Sequence, residues 1–164
     1  MKLRNLKQDD APLMLSWMHD ESVVSHLGTN FMEKTIDDCR RFIDWANATD
    51  TDLHLAVADD SDEYMGTVSL KHIQDGKAEF AITVRACAMG KGFSKFGMAA
   101  ILDKGITQLG LDAIYWCVSR HNARAVRFYD KNNYLRTENV PETILGAYTP
   151  EQLADFIWYV YTGK

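Results

Sequence analysis

Cysteine is scarce: Cys39, Cys87 and Cys117 are the only three in 164 residues, and no two of them form a CxxC pair. An odd, scattered set supports neither a disulfide framework nor a zinc site, and reduced thiols are expected. Basic runs are missing too. Lys and Arg number 18 against 23 Asp and Glu, a formal charge of -5, which disfavours binding to nucleic acid or an anionic membrane. The longest unbroken apolar run is the six residues Phe156 to Tyr161, far short of the roughly 20 that span a bilayer. Lys2 and Arg4 are followed by Gln8, Asp9 and Asp10 before any apolar stretch could act as a signal-peptide core, so the expected compartment is the cytoplasm. His19, His26, His54, His72 and His121 show no metal-ligand spacing, and no metal is expected. With no repeat, low-complexity tract or Pro/Gly/Ser-rich linker, residues 1–164 read as one continuous domain.

What is present is an alternation of periods. Met1 to Lys7 alternates like a short strand, and Asp9, Asp10 and Pro12 then start a helix with Leu13, Met14, Trp17 and Met18 at helical spacing. Thr35, with Asp38 at the capping-box position, opens a second helix whose apolar face is Ile36, Cys39, Phe42, Ile43 and Ala46. From Leu53 the period falls to two, giving strands over Leu53–Ala58 and Tyr64–Lys71 across a turn at Asp59–Asp62. Asp75-Gly76 marks a tight turn into a third antiparallel strand, Lys77 to Val84. A glycine loop, Ala86 to Gly92, precedes a helix from about Ser94 to Leu109 that Gly110 stops. Ala113–Ser119 is a strand, Asn122 caps a helix running to Asn132, and Tyr134–Thr137 begins another strand. In the tail, Thr149-Pro150-Glu151-Gln152 resembles a capped helix start, while Phe156–Tyr161 is aromatic and β-prone; a brief turn and a final strand are expected. The order is mixed α/β.

The segment Met89-Gly90-Lys91-Gly92-Phe93-Ser94 joins a strand to a helix, where unpaired N–H groups and the helix dipole favour an anion. Its two glycines permit close approach to a pyrophosphate. It is no Walker A loop, because Lys91 is followed by Gly92 and not by Ser or Thr. Nor is it a dinucleotide fingerprint, because Lys95 stands where the third glycine belongs. Downstream, Asn122, Ala125, Val126 and Tyr129 share one helix face, which puts Asn122 and Tyr129 roughly 10 Å apart along the axis. One extended ligand can touch both; read alone, Asn122 is equally an N-cap and Tyr129 a core residue.

At these residues the chain resembles the GNAT superfamily of acetyl-CoA-dependent N-acetyltransferases. The family's (Q/R)xxGx(G/A) pattern falls on Cys87, Gly90 and Gly92, and its N-x-x-A-x-x-x-Y helix on Asn122, Ala125 and Tyr129. The N-terminal part, with a helix holding Trp17, Asp20 and Val23, is similar to the branch of ribosomal-protein N-terminal and nucleotide-amino-sugar acetyltransferases. Cys87 departs from the family's Gln or Arg, leaving Arg85 and Lys91 as nearby cations. Asn133-Tyr134 replaces the usual Gly-Phe, a swap that a left-handed helix cap tolerates.

The resemblance implies a single domain with a mostly antiparallel sheet of six or seven strands flanked by about four helices. It also implies acetyl-CoA as cosubstrate and direct attack of an amine on the thioester. Met89, Gly90, Lys91, Gly92, Phe93 and Ser94 would surround the pyrophosphate, and Asn122 the pantetheine arm. A backbone amide from the strand stretch Ala81 to Val84, which includes Ile82 and Thr83, would polarise the thioester carbonyl. Tyr129 is the expected general acid. Glu79, flanked on its face by small Ala81 and Thr83, is the expected general base, or else part of a solvated face shared with Lys77. The acceptor is expected to be a small-molecule amine such as an amino sugar or polyamine, a peptide N-terminus being the alternative, and a non-catalytic acyl-CoA-binding module lies further off. Family members are often homodimers, so Phe156–Tyr161 is expected either to pair across an interface or to complete the core.

Overall fold

The computed structural model describes residues 1–163. Seven strands form one sheet: β1 (Lys2–Asn5), β2 (Leu53–Ala58), β3 (Tyr64–Gln74), β4 (Lys77–Val84), β5 (Ala113–Ser119), β6 (Leu135–Arg136) and β7 (Phe156–Tyr161). Their spatial order is β1-β2-β3-β4-β5-β7-β6. Every pairing is antiparallel except β4 with β5. The helices are α1 (Ala11–Met18), α2 (Glu21–Val24), α3 (Ile36–Ala48), α4 (Phe93–Thr107), α5 (Ala123–Lys131), α6 (Glu142–Leu145) and α7 (Pro150–Asp155). That is seven helices among the described residues against the four or so expected; the additional ones, α2, α6 and α7, are four to six residues long, too short to carry a period. The expected helix through Trp17, Asp20 and Val23 is in fact two, because Asp20 turns extended and caps α2 by accepting from Ser22 N.

Local chemistry accounts for most boundaries. Thr35 and Asp38 exchange bonds as a capping box at α3, and Thr149 with Gln152 does the same at α7. Asp75 and Gly76 both take positive φ, 52° and 74°, as a two-residue hairpin turn requires. Asn133 adopts φ 63° after α5, filling the left-handed position where the family has glycine.

The sheet is covered on both faces. On one, α4 and α5 close over Leu55, Val57, Val68, Leu70, Phe80, Ile114, Trp116 and Tyr159. Gly97 and Gly105 let α4 lie close: a Cβ at Gly97 would stand 2.7 Å from Val57, and one at Gly105 2.8 Å from Ile114. On the other face α1 to α3 form a second apolar cluster around Met14, Trp17, Ile43 and Tyr64. β1 is tied to this side by Arg4, which donates to both carboxylate oxygens of Asp10 at 2.8 Å.

The aromatic strand β7 lies between β5 and β6 in the sheet, with all six of its residues paired to β5 and two of them, Tyr159 and Val160, also paired to the short β6. No helix among the described residues is long and apolar enough to cross a membrane.

Candidate active site

The site begins where the parallel pair parts. β4 and β5 stay in register only at Lys77↔Ala113, Ala78↔Ile114 and Glu79↔Tyr115. Beyond Glu79 the β5-facing edge of β4 has no strand partner, so backbone groups through Ile82, Thr83 and Val84 are free to bond an extended ligand. A cleft of about 150 Å³ runs along this edge, lined by Ile82, Thr83, Val84, Met89 and Ser94 from the expected set, and by Val23 and Leu27. Sequence reasoning missed those last two, because α2 is too short to show periodicity.

The cleft leads to the start of α4. Gly90 and Gly92 take φ of 75° and 90°, a left-handed pair that turns successive amides the same way. Gly92 caps α4 without a side-chain bond. Among the described residues, no hydrogen bond uses the N–H of Gly90, Gly92, Phe93, Ser94 or Lys95. This is a nest of free donors at a positive helix end, and it fits a pyrophosphate. Phe93 contributes only its amide, since its side chain is buried in the core.

The cations are arranged differently from expectation. Arg85 turns away from the loop to Glu63, at 2.7 Å, and to the carbonyl of Tyr64. Arg124 instead leans over the loop, its Nη1 3.8 Å from Met89 Sδ. Asn122 caps α5 through its side-chain carbonyl, which accepts from Ala125 N at 3.3 Å. The cap and the ligand-contact roles are compatible, because the cap uses the oxygen and leaves the amide NH₂ to donate.

Tyr129 flanks the split from the α4/α5 face, with Trp116 and Tyr159 ring centroids 5.6 and 5.0 Å away. Burial, reinforced by Tyr159, Cys117 and Tyr134, pushes its hydroxyl well above the ordinary phenol range. It therefore stays protonated at neutral pH, and its hydroxyl bonds no protein group among the described residues.

Glu79 sits at the closed end of the split on the opposite face, and it is not solvated. It is only 3% exposed. Tyr148 Oη donates to its carboxylate, 3.0 Å from each oxygen, and Lys71 Nζ stands 3.3 Å away. The expectation of an open strand face fails because Tyr148, 69 residues downstream in the loop between α6 and α7, covers it. No sequence signal links the two. Tyr148 is held by edge contacts with Phe156 and Trp158, and burial with the nearby Cys117 and Glu79 raises its own pKa, so it remains a donor. Cys117 is pushed up to about 12, by burial first and then by Glu79, and so is a protonated thiol, not a nucleophile. Tyr148→Phe should leave Glu79 with Lys71 alone and cost about 1.5–3 kcal/mol, as for a hydrogen bond to a charged group, read as a lower Tm with acetyl-CoA affinity unchanged.

Lysine and glutamate form part of a ladder. Thr67↔Thr83, Ser69↔Ala81 and Lys71↔Glu79 are successive rungs on one face of the β3–β4 hairpin. Together they make a polar floor in which the small Ala81 is only partly buried. Among the described residues, no three His, Cys, Asp or Glu side chains come together as a metal site.

Residues 1–134 match the family model described as acetyltransferase (GNAT) domain. No curated protein matches the chain by sequence. Among solved structures, the chain is similar to a spermidine N-acetyltransferase from Vibrio cholerae in complex with CoA and spermine: 20% identity, TM-score 0.79, covering 98% of this chain and 94% of that one. A mutant form of the spermidine N-acetyltransferase from the same organism gives 23% identity and a TM-score of 0.75, covering 99% of this chain and 95% of that one. A manganese complex of the Vibrio cholerae spermidine/spermine enzyme gives 21% and 0.71, covering 98% and 91%. At these identities the likeness is one of fold.

Proposed function

The chain belongs to the GNAT acetyltransferase family, and from that premise we propose that it transfers the acetyl group of acetyl-CoA to a primary amine of a small molecule, a polyamine first among candidates. The observation that carries this reading is the path from the free amides of Gly90, Gly92, Phe93, Ser94 and Lys95 along the cleft at the unpaired edge of β4, toward the split that opens beyond Glu79. The amides hold the pyrophosphate, and Lys91 and Arg124 add positive charge beside it. Ile82, Thr83 and Val84 bond the pantetheine arm and carbonyl through their backbone, with Asn122 on the far wall. Glu79 draws the acceptor's ammonium over the polar floor. Tyr129, neutral by burial, holds the proton that the departing sulfur requires. Bound acetyl-CoA supplies the activated acyl group, and the protonated state of Cys117 favours direct attack by the amine over an acyl-enzyme.

The small-amine reading is supported by the buried carboxylate at the end of the path and by the polyamine named with a solved structure of the same fold. Peptide N-termini and nucleotide amino sugars, the acceptors of the branch that the N-terminal segment resembles, are the alternatives. A cytoplasmic setting suits the three free cysteines. The test is acetyl-CoA-dependent thiol release against separate pools of polyamines, amino sugars, aminoglycosides, amino acids and short peptides. Release with a small-amine pool is expected; release with peptides alone would move the acceptor to protein N-termini, and silence in every pool would contradict the enzyme.

A further inference from the structure

His54, Ser69 and Asp52 are buried polar groups that the path above does not use, and they are joined. His54 Nδ1 lies 2.6 Å from Ser69 Oγ, and His54 Nε2 lies 3.2 Å from Asp52 Oδ2. His54 is 5% exposed and Ser69 6%. Asp52 is fixed in turn, its Oδ1 accepting from His72 N at 3.1 Å and from Thr51 Oγ1 at 3.2 Å.

The chemistry of the three groups sets the direction of the bonds. An ionised carboxylate only accepts, so His54 Nε2 carries its proton toward Asp52. Nδ1 is then the lone-pair nitrogen, and Ser69 donates its single hydroxyl proton to it. Burial favours this neutral imidazole, outweighing the opposite pull of Asp52. The charges acting on the ring are Asp52 and, from β3, Lys71; α3 meets it with the uncharged rings of Phe42 and Trp45. Ser69 Oγ is left able only to accept, and among the described residues nothing else donates to it.

Its position gives that capacity a use. Ser69 stands directly across from Ala81, which is only partly buried, and the rung beside it is Lys71↔Glu79. Directly opposed residues have Cβ atoms about 5 Å apart, so an ammonium seated over Ala81 is within reach of Ser69 Oγ. Glu79, by contrast, already accepts the one Tyr148 hydroxyl proton, shared between its two oxygens, and has its charge matched by Lys71. It can attract the ammonium, but Tyr148 covers it and Lys71 offsets its charge.

We infer that Ser69, His54 and Asp52 form a proton relay that neutralises the acceptor amine before attack. The ammonium gives a proton to Ser69 Oγ as Ser69 gives its own to His54 Nδ1. A neutral amine and an unchanged serine remain, with an imidazolium facing the Asp52 carboxylate; that proton returns to solvent before the next turnover. The inference rests on the amine-acetylating reading of the site.

The experiment is the pH dependence of kcat/KM for the amine in Ser69→Ala, Ser69→Thr and Glu79→Gln, from pH about 6.5 to 9.5, with acetyl-CoA affinity measured alongside. Ser69→Ala should lose about 100-fold near neutral pH, as for removal of a general base. The gap should then narrow steadily toward alkaline pH, where an amine of pKa about 10.4 sheds its own proton. Ser69→Thr, which keeps the hydroxyl, should restore most of the rate, and acetyl-CoA affinity should hold throughout. A Ser69→Ala loss that stays constant with pH, or no loss, overturns the relay, because a merely structural serine gives no pH-dependent rescue. Narrowing in Glu79→Gln but not in Ser69→Ala also overturns it and assigns the base to Glu79. A wild type inactive toward every amine overturns the acetyltransferase reading and the relay with it, whereas the other failures leave that reading standing.

Discussion

Tyr129→Phe should lower kcat by about 100-fold or more while leaving acetyl-CoA affinity and Tm near their wild-type values. The phenylalanine keeps the ring among Trp116, Tyr134 and Tyr159, so the packing of α5 against the sheet is retained. It removes only a hydroxyl that bonds no protein group among the described residues, so no buried partner is left orphaned. What is lost is the proton supply for the sulfur. Because burial raises the Tyr129 pKa, the wild-type rate should show no alkaline decline from this residue across the neutral range. Steady-state kinetics and calorimetric titration with acetyl-CoA check both halves. A variant with wild-type kcat would move the general acid elsewhere. A variant that loses acetyl-CoA binding would make Tyr129 a cofactor contact instead.

Trp116→Ala should cost about 3–5 kcal/mol, the largest stability effect expected for a single substitution in this chain. Trp116 is 2% exposed and stacks on Tyr159 at 5.7 Å, with Phe80, Tyr129 and Tyr134 against its edges and faces. It follows Tyr115, the last β5 residue paired to β4, so it supports the split itself. At about 2–4 °C per kcal/mol for a chain of this size, Tm should fall by about 6–20 °C. Trp116→Phe should cost much less than the alanine variant. Its Nε1 is the one buried side-chain N or O among the described residues with no hydrogen-bond partner, so the indole N–H contributes no bond to lose. Thermal melts of the two variants test this; equal losses would mean that the N–H and not the ring volume matters.

Features fixed by neighbouring residues are legible in the sequence itself. Capping boxes, the Asp75-Gly76 turn, the left-handed Asn133 and the glycine loop each depend on residues within about four positions, and each appears where its chemistry puts it. The edge of the candidate site is legible for the same reason: loop and strand are contiguous from Ile82 to Ser94. Glu79 shows the limit. Strand alternation puts it on a face of small residues, but the cover over that face comes from Tyr148 and its ion pair from Lys71, partners set by tertiary packing. Arg85 reads as a loop cation by proximity in sequence, yet Glu63, at the start of the β3 hairpin, claims it. The place of β7 inside the sheet and the split of the first helix at Asp20 likewise rest on pairings that no local pattern carries.

Direct transfer from bound acetyl-CoA to an amine over the β3–β4 floor is the central claim, and one labelling experiment meets it squarely. Enzyme at substrate-level concentration is mixed with acetyl-CoA carrying a heavy isotope in the acetyl group and with spermidine, and both the small molecules and the intact protein are weighed over time. The expected result is label on an amine nitrogen, one free CoA thiol for each acetyl transferred, and a protein of unchanged mass at every time point. Label accumulating on the protein before it reaches the amine, or CoA release with no acetylated amine, would contradict it.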